Sequence, residues 1–160
     1  MKLVRRSCFK IFHLSANILG ANEVQVESPH PYENNRDVYT VVEMSGATGY
    51  TVTFDEQSST EQNYRYVRFY RSDDQLEFWG EDKYSGRYQG SSKNFPGTGG
   101  RPALTIPADR FVVRFHSDGY NTDWGYTITV TKSTVAPLVG GPSKYLQPLY
   151  FDFLSLRRSV

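Results

Sequence analysis

Three oxygen-bearing side chains, Asp118, Asn121 and Asp123, crowd into the stretch Phe115-His116-Ser117-Asp118-Gly119-Tyr120-Asn121-Thr122-Asp123-Trp124-Gly125-Tyr126. Carboxylates and an amide oxygen set this close repel one another or compete for donors unless a cation or backbone amides satisfy them. The stretch is therefore a candidate hard-cation site. It reads more simply as a polar hairpin turn, since Asp, Asn and Gly tolerate tight-turn geometry. The alternating apolar runs on either side, 111–115 and 126–130, make it a loop between two strands.

No second grouping suggests catalysis. The histidines His13, His30 and His116 lie in a tail, a Pro-rich entry and a strand end, far in context from the lone Cys8. His116-Ser117-Asp118 contains the residue types of a hydrolytic triad, but consecutive strand residues point to opposite faces. Gly-rich phosphate loops, zinc-type Cys/His spacing and heptads are absent from the sequence. The chain reads as a non-enzyme. Trp79 and Trp124, at strand ends, are either rim packing or sugar-stacking platforms, which keeps carbohydrate as an alternative ligand.

The elements that must position the loop follow from composition and periodicity. With 160 residues and 38% hydrophobic content, the chain supplies one core. Eighteen Lys and Arg against seventeen Asp and Glu leave a net charge of +1, which offers no electrostatic footprint for nucleic acid. Twelve Tyr, ten Phe and frequent Gly and Pro favour short strands. Strands are expected over 38–42, 50–54, 64–70, 75–79, 103–106, 111–115 and 126–130, with a weaker one at 84–88 and a surface loop over 89–102. These predict an all-β, antiparallel two-sheet jelly-roll sandwich of seven to nine strands over residues 26–132.

Residues 1–25 read as a disordered or weakly helical tail. Residues 133–160 read as a Pro/Gly linker followed by a short amphipathic helix carrying Leu146, Leu149, Tyr150, Phe153 and Leu154. Lys2, Arg5 and Arg6 ahead of an apolar run loosely mimic a signal peptide, but Lys10 and His13 interrupt it. One cysteine permits no internal disulfide, so an intracellular setting is favoured over a secreted one. No run reaches the ~20 apolar residues of a membrane span.

Four blocks carry a resemblance: Ser28-Pro29-His30-Pro31-Tyr32, Tyr50-Thr51-Val52-Thr53-Phe54-Asp55, Tyr64-Arg65-Tyr66-Val67-Arg68-Phe69-Tyr70, and Phe115-His116-Ser117-Asp118 with Gly125-Tyr126. In order and spacing they resemble a CUB domain over about residues 26–132. The resemblance implies a jelly-roll binding module with a protein partner. It also implies a calcium site built from Asp118, Asn121, the Tyr120 carbonyl and Glu61, with Glu56 as a rival to Glu61.

Where the family has an Asp between two tyrosines, this chain has Arg65. Calcium binding is therefore expected to be weakened or lost, with the guanidinium reaching Asp118 or Glu61 in place of the ion. The implied binding surface comprises Arg65, Tyr66, Asp123 and Trp124. Family cysteines are missing too: Gln62 and Tyr39 stand near their expected places. That lack, together with Phe78-Trp79-Gly80, Asn94-Phe95-Pro96-Gly97 and Arg101-Pro102, resembles cysteine-free CUB-like modules of large intracellular proteins, including some ubiquitin ligases. The alternatives are a carbohydrate-binding jelly roll, a calcium-dependent secreted CUB domain, or a secreted hydrolase or protease accessory.

Overall fold

The computed structural model describes residues 10–15, as backbone, and 21–134. Nine strands are present among these: β1 (Lys10–Ser15), β2 (Glu23–Glu27), β3 (Arg36–Glu43), β4 (Gly49–Phe54), β5 (Tyr66–Tyr70), β6 (Phe78–Tyr84), β7 (Leu104–Ile106), β8 (Arg110–Ser117) and β9 (Thr127–Ser133). They form two sheets, ordered β1-β3-β8-β5-β6 and β2-β9-β4-β7. Every strand pairing is antiparallel except that of β1 with β3.

Period-two alternation sets which side chains meet between the sheets. Tyr50, Val52 and Phe54 of β4 and Ile128 and Val130 of β9 face Val67 and Phe69 of β5 and Phe111, Val113 and Phe115 of β8. The outer side of the five-stranded sheet carries a smaller cluster of Tyr39, Val41, Tyr70 and Val112, backed by Phe78. Around it the Arg68 guanidinium lies 5.3 Å from the Tyr66 ring centre and that of Arg114 lies 5.7 Å from that of Tyr39, so the guanidinium groups cover tyrosine faces.

Several expectations change in detail. Residues 10–15 and 23–25, expected as tail, are strand: Lys10–Ser15 lies along the β3 edge and β2 pairs with β9 from Glu23 onward. The order there comes from edge pairing, which local alternation does not reveal. The remaining tail expectations, including the helix after residue 144, fall outside the described residues. The strand expected over 75–79 begins only at Phe78, because Asp74 accepts hydrogen bonds from Ser72 Oγ (2.6 Å) and Leu76 N (3.1 Å) and holds a turn there. The weaker strand expected over 84–88 is the end of β6 at Tyr84, followed by a 3-10 turn at Tyr88–Gly90.

The segment 89–102, expected as a surface loop, is anchored in the core. Phe95 is fully buried and stacks on Phe54 with ring centres 4.8 Å apart, and Thr98 Oγ1 donates to Phe95 O at 2.8 Å. Its Gly and Pro residues shape a turn whose one aromatic plugs the end of the sandwich. Phe95→Ala should accordingly cost about 3–5 kcal/mol in urea unfolding. Leu76→Ala, at a position 80% exposed, should stay within about 0.5 kcal/mol.

Candidate functional site

The acidic loop lies at one end of the sandwich, where three connections meet. Asp118 directly follows β8, Glu61 to Arg65 form a turn into β5 closed by Arg65 N donating to Glu61 O (3.1 Å), and residues 28–35 lead into β3. Backbone bonds tie these together. Asn35 N donates to Asp118 O (2.8 Å), Tyr32 N to Asp123 O (3.2 Å), and Ser59 and Gly125 exchange bonds of 2.8 and 2.9 Å. Gly125 has φ 104, and a Cβ there would sit 2.1 Å from Ser28 Oγ, so the approach of these strands requires glycine.

At the centre is Arg65, whose side chain is 0% exposed and makes ion pairs with both Glu61 and Asp118. Burying a guanidinium is costly unless it is paired, and these two carboxylates supply the pairing. They are 27% and 35% exposed, so water reaches them from outside while the cation stays within. Arg65 Nε has no hydrogen-bond partner, which leaves the charge dependent on its two acids.

The other expected ligands are engaged elsewhere. Asn121 Nδ2 donates to Glu61 Oε2 (3.2 Å), and the Tyr120 carbonyl accepts from Asn34 Nδ2 (3.1 Å). Asp123 accepts from Ser59 Oγ and, at 2.7 Å, from Trp124 N. Glu56, the rival acid, lies apart with Lys93 (2.6 Å) and Gly99 N (2.8 Å), which hold its carboxyl below the usual range. Among the described residues no cluster of His, Cys, Asp and Glu is arranged to hold a metal ion.

Of the expected binding surface, Arg65 is buried and therefore cannot itself face a partner. Tyr66 is on the outer sheet face under Lys83, whose Nζ lies 4.9 Å from its ring centre. Trp124 has one face taken by His30, with ring centres 3.9 Å apart and planes 19° apart, and Trp79 lies 4.1 Å from the Arg71 guanidinium. The tyrosines that do project are Tyr64 (64% exposed) and Tyr120 (85%), flanking Arg65 and Asp118 in the chain. Sequence reasoning missed Tyr32, Asn34, Ser59 and the exposed Tyr64. Tyr32 and Tyr64 stand within the blocks that carry the CUB resemblance and Asn34-Asn35 is a turn signal, whereas Ser59 carried none.

Tyr32 packs edge-on against Phe115 (5.4 Å between ring centres), its hydroxyl buried without a hydrogen-bond partner. Burial pushes its pKa up to about 12; Arg65 works against this, while Asp123 and Asp118 reinforce it. Burial also raises Tyr39, Tyr50, Tyr84 and Tyr126.

No protein-family model matches the chain. Solved structures show its fold. The CUB1-EGF-CUB2 domains of rat MASP-1 align with a TM-score of 0.57 at 16% identity, over 79% of this chain and 43% of that one. The MASP-1 CUB2 domain bound to Ca2+ aligns with a TM-score of 0.52 at 14% identity, over 73% of this chain and 98% of that one. The fold is CUB-like.

Among curated proteins, the chain is 36% identical over 110 residues to human zinc finger ZZ-type and EF-hand domain-containing protein 1, covering 68% of this chain and 3% of the relative. It is 31% identical over 112 residues to human E3 ubiquitin-protein ligase HERC2, covering 70% of this chain and 2% of the relative. The chain thus spans only a few per cent of these relatives' lengths.

Two outcomes follow from the site geometry. Glu61→Gln combined with Asp118→Asn strands a buried cation and should cost about 3–5 kcal/mol in urea unfolding. Arg65→Met should cost less, because both acids can rehydrate. The raised tyrosine pKa values favour the neutral phenols in the fold. Their contribution is complete below pH about 10, the ordinary tyrosine value, and Tyr32's is lost as pH rises through about 12. Absorbance titration at 295 nm should show these phenols ionising together with cooperative unfolding.

Proposed function

We infer that this chain is a noncatalytic protein-interaction module in which Arg65 does internally what a calcium ion does in other CUB-like sites. The observation that carries the reading is the fully buried Arg65 guanidinium, ion-paired to Glu61 and Asp118. A divalent cation needs several oxygens converging without a competing positive charge. Here Arg65 holds one oxygen of each acid, the Tyr120 carbonyl serves Asn34, and Asn121 turns its amide nitrogen to Glu61. These residues do not fit calcium.

A partner meets the loop end outside that pairing. Tyr64 and Tyr120 offer amphipathic rings, and the exposed sides of Glu61 and Asp118 offer acceptors. The partner is a protein, and the setting is intracellular, as one module of a much larger chain. This placement rests on likeness to an E3 ubiquitin-protein ligase and on a sequence with one cysteine. The carbohydrate reading gains nothing from the indoles, each of which has a ring face against His30 or Arg71.

Thermal unfolding of the full chain with calcium or with a chelator tests the substitution, because a ligand of the native state raises the melting temperature by mass action. The unmodified chain should melt at the same temperature in both. Arg65→Asp should melt several degrees higher in calcium than in chelator. A calcium-dependent rise in the unmodified chain, or none in Arg65→Asp, contradicts the reading.

A further inference from the structure

An exposed sheet edge presents unpaired N–H and C=O groups that invite another strand, and folded proteins block such edges with charge, proline, bulges or shortness. Three edges here carry such devices. β7 is three residues long between Pro102 and Pro107. β6 is interrupted: Phe69 pairs with Trp79 but Val67 with Tyr84, so the charged run Glu81-Asp82-Lys83 bulges out beyond Gly80, at φ 72. β2 bears Glu23 and Glu27 and runs into Pro29.

The remaining edge is different. β3 pairs with β8 in unbroken register from Arg36 to Glu43, and Val38-Tyr39-Thr40-Val41-Val42 contains no charge, glycine or proline. β1 covers this edge, in register from Lys10 opposite Val38 to Ser15 opposite Glu43. It is the one parallel strand pairing described, and parallel pairing is slightly less stable per residue.

Beside it a cavity of about 460 Å³ opens between the sheets, lined by Val26, Val38, Thr40, Phe115 and Tyr126 among others. Of its charged lining residues, Glu33 pairs with Arg36, and the Glu27 side chain is 60% exposed to water. Such walls favour an uncharged, apolar occupant. Phe12 is in register with Thr40, one of the lining residues.

We propose that the β3 edge is a strand-acceptor site for an extended peptide added in parallel, with a bulky apolar residue opposite Thr40, and that Lys10–Ser15 is its exchangeable occupant in cis. Backbone hydrogen bonds along β3 supply the affinity, and the cavity supplies the side-chain preference. The site is separate from the Arg65 loops and does not depend on their role. The N-terminal strand then acts as a competitor at the high effective concentration of a tethered ligand.

The test uses the full chain and a fluorescent synthetic peptide of residues 8–17 carrying Cys8→Ser, read by anisotropy. A chain carrying Phe12→Asp and Leu14→Asp, checked for a cooperative melt, should bind the peptide at least about tenfold more tightly than the unmodified chain. N-methylation of alternate peptide amides on the β3-facing side should abolish binding. No binding by the folded variant, or binding indifferent to N-methylation, overturns the proposal. Hydrogen exchange on the unmodified chain gives a reading that needs no variant. Saturating peptide should keep residues 36–43 protected while residues 10–15 lose protection; residues 10–15 unchanged by the peptide count against it.

Discussion

A guanidinium with no exposed surface has to be matched by acids, and the arrangement of this sandwich's loop end follows from that requirement. Arg65 sits at the entry to β5, Glu61 one turn before it, and Asp118 just after β8, so one cation draws together segments far apart in sequence. Because the acids are partly hydrated and the cation is not, the pairing is asymmetric: the buried member depends on the surface members more than they depend on it. The neighbouring groups extend the same network. Asn121 braces Glu61, Tyr120 N donates to Asp118 Oδ1 at 3.3 Å, and Asn35 N donates to the Asp118 carbonyl.

Cationic side chains have a related role on the outer face of the five-stranded sheet. Arg114 donates to Asp37 Oδ1 from Nε (2.9 Å) and Nη2 (2.7 Å) while lying beside the Tyr39 and Tyr66 rings, and Arg68 lies beside Tyr66, Tyr70 and Phe78. Aromatic surface that would otherwise face water is covered by guanidinium groups that also keep their hydrogen bonds. This explains how tyrosines on the outside of a sandwich come to be buried. The sheet edges follow a parallel logic: charge, proline or a bulge guards three of them, and a strand covers the fourth.

The period-two core was legible in the sequence because burial on one face imposes it: Tyr50, Val52 and Phe54, or Phe111, Val113 and Phe115, alternate whatever the pairing partner. The acidic loop was legible because turns and ion sites draw on the same residue types. The buried Phe95 was not, since one aromatic among Gly, Ser and Pro has no periodicity to announce it. Nor was the strand at Lys10–Ser15, whose order comes from the β3 edge. Exposure was equally hidden: Arg65 and Tyr64 are adjacent in a turn, yet one is wholly buried and the other projects.

By itself, then, the sequence determined an all-β sandwich and an acidic, turn-forming loop between two of its strands. These follow from local alternation, residue chemistry and spacing, which need no partner to be read. Tertiary structure alone decided that Arg65 joins Glu61 and Asp118 together, that Asn121 and Tyr120 turn to other bonds, and that Tyr64 and Tyr120 face outward. The physical reason is that a charge's environment is set by which distant segments fold around it. That environment arises only when both sheets and their loops have closed.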